Sequence, residues 1–68
     1  MTESKPWMVE TIGDGGNHST QYAIEASANR DAAEAANKPG VDVVHIHKWI
    51  RLRREWQFVR TVRPGGAR

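Results

Sequence analysis

Residues 41–63 read "VDVVHIHKWIRLRREWQFVRTVR". Whether this stretch folds back on itself as two strands or runs on as one helix decides the architecture of the chain. Read with a period of two, Val44, Ile46, Lys48, Ile50 and Leu52, then Trp56, Phe58, Arg60 and Val62, fall on one side, and seven of these nine are apolar. The other side carries His45, His47, Trp49, Arg51 and Arg53, then Gln57, Val59, Thr61 and Arg63. The two halves stay in phase only across a loop with an odd number of residues, because a one-residue slip turns every side chain to the opposite face. A three-residue loop at Arg53-Arg54-Glu55 pairs Leu52 with Trp56, Ile50 with Phe58 and Ile46 with Val62, and sets Arg63 across from His45. Two features sit badly with that register. The tip has no glycine, which such a loop ordinarily wants, and Lys48 falls opposite Arg60 on the apolar side.

The competing pattern is a helix over 44–59, with Trp49, Leu52, Trp56 and Val59 at spacings of 3, 4 and 3. The β-branched and aromatic run "WQFVRTV" decides for strands. Upstream, "SANRDAAEAANKPG" (27–40) predicts a helix. Ser27 or Asn29 serves as its cap, Asp31 lies in the first turn, and Ala28, Ala32, Ala35 and Ala36 form a smooth methyl face. Pro39-Gly40 ends it. Further upstream, "PWMVETIG" (6–13) and "TQYAIEAS" (20–27) read as two strands joined by a loop of turn formers, "DGGNHS". In the second of these, Tyr22, Ile24 and Ala26 share a side.

The predicted fold is therefore α+β, with order ββαββ and an antiparallel four-stranded sheet in spatial order 2-1-3-4. The alanine helix covers one face and leaves the other open. One domain spans 6–63, with a flexible lead-in over 1–5 and a flexible tail over 64–68. A chain of 68 residues buries a thin core, so a partner or a second copy has burial to contribute.

Charge is unevenly laid out. Residues 1–44 carry three basic and seven acidic side chains, whereas residues 45–68 carry seven basic and one acidic. A basic segment of this kind suits a polyanion, or neutralises its own acidic half. There is no cysteine, which fits a reducing cytoplasm and excludes disulfides and thiolate metal sites. No apolar run approaches the roughly 20 residues of a membrane span, and "MTESKPW" has no signal-peptide character.

His45 and His47 project from one face of a strand, but two ligands do not make a metal site, and no H-x₃-H or carboxylate cluster is local to them. "GDGGN" leads into a strand, not a helix, so it builds a turn and not a phosphate cradle. The serines have no base in a meaningful position, and His18 beside Ser19 is only adjacency. The reading is of a non-enzymatic module, with no catalytic residue, no metal and no cofactor. Its binding residues are His45, His47, Trp49, Arg51, Arg53, Arg54 and Arg63, with Lys48 and Arg60 as outer candidates. Arginine binds phosphate bidentately and an exposed indole stacks on an unpaired base, so RNA or single-stranded DNA is the expected partner. Tryptophan and arginine also dominate protein interfaces. The alternative is thus a protein-binding adaptor or inhibitor, homodimeric through the same surface.

Overall fold

The 41–63 stretch folds back as a hairpin. In the computed structural model, which describes residues 5–64, strands β1 (Trp7–Gly13) and β2 (Gly16–Tyr22) precede a helix, α1 (Glu25–Ala36), and strands β3 (Val41–Ile50) and β4 (Glu55–Val62) follow it. The sheet is antiparallel throughout, in order β2-β1-β3-β4, as the sequence predicts. Of the predicted lead-in and tail, all but Lys5 and Pro64 lie outside the described residues.

The core follows directly from the alanine spacing. Ala28, Ala32, Ala35 and Ala36 are all buried, and they meet Val9 of β1 with Val44 and Ile46 of β3. Methyl groups let the helix backbone lie close over the two central strands, and Trp7, Tyr22, Val41 and Val62 wall the margin. The helix starts two residues earlier than the sequence suggests. Ile24 is the capping residue and makes no side-chain hydrogen bond; Glu25, not Asp31, is the acidic residue of the first turn. Ile24 is consequently exposed, and Ala26 belongs to the helix instead of extending a strand. The first hairpin is also tighter than expected. Gly13 pairs with Gly16 around Asp14-Gly15, and Gly16 supplies the positive φ of 96° that the turn needs. "GNHS" is thus part of β2, an edge strand whose polar residues are almost all exposed.

The second hairpin departs from its expected register. Its loop is four residues long, Arg51-Leu52-Arg53-Arg54, and Ile50 pairs with Glu55. Both Arg53 and Arg54 donate their amides to the Ile50 carbonyl, and Arg54 takes the left-handed conformation (φ 54°) that a glycine was expected to fill. An even loop turns the first half of β4 over: Trp56 now pairs with Trp49 and Phe58 with His47, on the face away from the helix. A β-bulge then inserts Val59 as an unpaired residue, and the phase is restored. Arg60 pairs with Ile46 and Val62 with Val44, back on the helix side. Leu52, expected to face Trp56 in the core, is 98% exposed at the tip.

The same shift removes the predicted clash of cations. Lys48 pairs with Gln57 and lies over the Trp7 ring, 5.4 Å from its centroid, while Arg60 donates to Asn29 Oδ1 on the helix.

Candidate functional site

The face of the sheet turned away from α1 is where the candidate residues meet. Alternation along β1 sends Trp7, Val9 and Thr11 to the helix side, and therefore Met8, Glu10 and Ile12 to the other. Register carries this across the sheet: Met8 pairs with His47, Glu10 with His45 and Ile12 with Val43, and β4 adds Trp56, Phe58 and Thr61.

Three of the predicted binding residues, His45, His47 and Trp49, stand in a row on this face, and all three are half-buried. Trp49 is not the free platform that the sequence suggests. Its ring packs edge to face on Trp56 at 5.4 Å, and its indole N–H is shielded without a hydrogen-bond partner among the described residues. The most exposed aromatic is Phe58, at 52%; its ring stands edge-on to His45 at 5.4 Å and to His47 at 5.9 Å. From the sequence, Phe58 belongs to the core side and is no candidate, while Trp56, also on that side, is named only as an anchor with Trp49 for a protein partner. Only the loop length and the bulge bring them here.

The basic residues do not form one patch. Arg51, Arg53 and Arg54 cluster at the exposed hairpin tip, where Glu55 lies 3.9 Å from Arg53, a solvent-exposed contact worth at most about 1 kcal/mol. Arg63 follows the far end of β4, on the order of 25 Å away along an eight-residue strand. Thr61, not Arg63, pairs with His45. Lys48 and Arg60 point to the helix side, toward Trp7 and Asn29.

Glu10 was not among the sequence candidates. The register of β1 on β3 brings its carboxylate to His47, with Oε1 3.3 Å from Nε2, and the ligating atoms of Glu10, His45 and His47 all lie within 4.8 Å of one another. Glu10 lies 35 positions before His45 and 37 before His47 in the chain, so no local spacing signals the meeting.

A second concavity, about 360 Å³, opens on the helix side at the β2 edge between Thr11, His18, Thr20, Tyr22, Asp31 and Lys38. Burial, reinforced by the Asp31 carboxylate, pushes the Tyr22 phenol up to about 12. No helix among the described residues is long and apolar enough to cross a membrane. No family model matches the chain, and neither the curated proteins nor the solved structures contain a match to it.

Proposed function

We propose that the chain is a non-enzymatic module that binds single-stranded nucleic acid on the open face of its sheet. The observation that carries this reading is the half-exposed Phe58, set between His45, His47 and the Trp49–Trp56 pair, on a face that runs up to three exposed arginines. Unpaired bases stack on aromatic rings at about 1–3 kcal/mol each whatever their identity, and guanidinium groups at the tip hold the phosphates that flank them. Sheet surfaces that read single strands work by this division of labour. In this arrangement Phe58 and Trp56 are the stacking residues. His45 and His47 frame them, and Arg51, Arg53 and Arg54 contact phosphate. Arg63, Lys48 and Arg60 lie outside the footprint.

Fluorescence anisotropy of a labelled single-stranded oligonucleotide, titrated across a salt series, tests the proposal. Affinity is expected to fall steeply with salt. Replacing Arg51, Arg53 and Arg54 together by glutamine is expected to reduce the log–log salt slope by about 2, since each single-strand phosphate contact contributes about 0.7. Failure to bind DNA or RNA oligonucleotides at low salt overturns it.

A second reading has one observation in its favour. Met8, Ile12 and Val43 extend the aromatic cluster as a half-buried apolar surface, which suits a protein partner or a second copy of the chain. A chain that ignores oligonucleotides and sediments as a dimer, with the dimer lost in Phe58→Asp, supports that reading instead.

A further inference from the structure

We propose that Glu10, His45 and His47 form a binding site for a divalent transition-metal ion, with zinc as its reference occupant. This inference does not depend on the nucleic-acid reading; it rests on three donor atoms that converge on one point of the open face. Glu10 and His45 are register partners on adjacent antiparallel strands, and His47 follows two residues later on the same face, so the backbone fixes all three Cβ positions. The side chains then point inward at one another. The two imidazole rings are 6.2 Å apart at 61°, and every pair of potential ligand atoms falls within 4.8 Å.

Bond lengths provide a check. Zinc binds imidazole nitrogen at about 2.0–2.1 Å and carboxylate oxygen at about 2.0–2.2 Å, so two ligands on a tetrahedron are separated by about 3.3–3.5 Å. His47 Nε2 and Glu10 Oε1 are already at 3.3 Å. His45, whose ligand atom lies within 4.8 Å of the other two, has at most about 1.5 Å to close, a side-chain rotation for a half-buried residue. The His47–Glu10 contact involves one imidazole only, and the register of Glu10 with His45 brings the second to the same point. Phe58 stands edge-on to both imidazoles and limits their swing away from the site.

The donor set selects the ion. Two imidazoles and one carboxylate suit zinc, iron(II), cobalt(II) or nickel(II), whereas magnesium and calcium prefer oxygen ligands throughout. Three protein ligands leave at least one coordination position, and it faces the uncovered side of the sheet, where a water or an outside ligand can take it. His18 provides an internal control: it pairs with Thr11, which places it on the opposite, helix-facing side.

The test uses tag-free, chelator-treated full chain. Titration with cobalt(II) alone is expected to give visible ligand-field absorption that saturates at one ion per chain, and zinc alone is expected to displace it. Glu10→Gln and His45→Ala are each expected to weaken binding at least about tenfold, the low end of what losing even a supporting residue costs a metal site. His18→Ala is expected to bind as the unaltered chain does. Imidazole ¹⁵N shifts of the unaltered chain decide the matter independently of whether any variant folds. On adding zinc, His45 and His47 are expected to move and His18 to stay. Absence of cobalt absorption, an unchanged affinity in folded His45→Ala, or a zinc response centred on His18 would each overturn the proposal.

Discussion

The replacement Phe58→Ala separates an open, working face from a buried one. If the four-residue loop and the Val59 bulge place this ring on the uncovered side, its removal affects binding more than folding. Phe58 is 52% exposed, so about half of a phenylalanine's burial is at stake. Full burial contributes about 1.5–3 kcal/mol, which makes the share here about 1 kcal/mol. The edge contacts at 5.4 and 5.9 Å to two imidazoles add about another 1 kcal/mol together, taken at the low end for an exposed site. The expected loss is thus about 2 kcal/mol, or a fall of about 8–16 °C in melting temperature for a domain of this size. Ile46→Ala empties a site with no exposure at all and is expected to cost more, within about 2–5 kcal/mol. Oligonucleotide affinity of the folded Phe58→Ala protein is expected to drop about 5- to 150-fold, the equivalent of one stacked base. Calorimetry and anisotropy on the same samples supply both numbers. A stability loss equal to that of Ile46→Ala, or binding unchanged in a folded Phe58→Ala protein, refutes the assignment of this face.

Two further outcomes follow from the backbone and from Tyr22. A Cβ at Gly13 would lie 2.1 Å from the Gly40 carbonyl oxygen and 2.9 Å from the Val41 Cα, both backbone atoms that cannot swing aside. Gly13→Ala is therefore expected to lose at least about 2 kcal/mol in urea unfolding, whereas Gly15→Ala, which meets only His18 at 3.8 Å, stays close to the unaltered chain; equal midpoints for the two variants would contradict the close strand contact. The Tyr22 phenol is raised from 10.0 to about 12, so the folded chain holds this proton more tightly than the unfolded one. Its contribution to stability is complete below pH 10 and is lost as pH climbs from 10 through 12. The stability of the unaltered chain relative to Tyr22→Phe, read from urea midpoints, should fall between about pH 9 and about pH 11.5, and a constant gap would show that the phenol is not held in this way.

The element order and the four buried alanines were legible in the sequence because each rests on a periodicity or a turn signal that acts over a few residues, and the antiparallel order 2-1-3-4 because it is the simplest sheet for two hairpins joined by one helical crossover. So was the row of His45, His47 and Trp49, which depends only on alternation within one strand. The helix start was not: Glu25 through Ser27 continue an alternating pattern, and only packing of the helix over β1 and β3 converts them to helix. The rest of the site belongs to relations between strands. Phe58 and Trp56 reach the open face because Arg54 tolerates a positive φ and lengthens the loop by one residue. Val59 then bulges out to return Arg60 and Val62 to the helix side. These shifts cancel in the hydrophobic count, so the sequence reads equally well without either. Glu10 meets its histidines for a similar reason, since strand pairing alone sets which residues of β1 and β3 face one another. Local chemistry determined what each segment becomes. Which residues face one another across neighbouring strands, a cooperative property of register, was left to the tertiary structure.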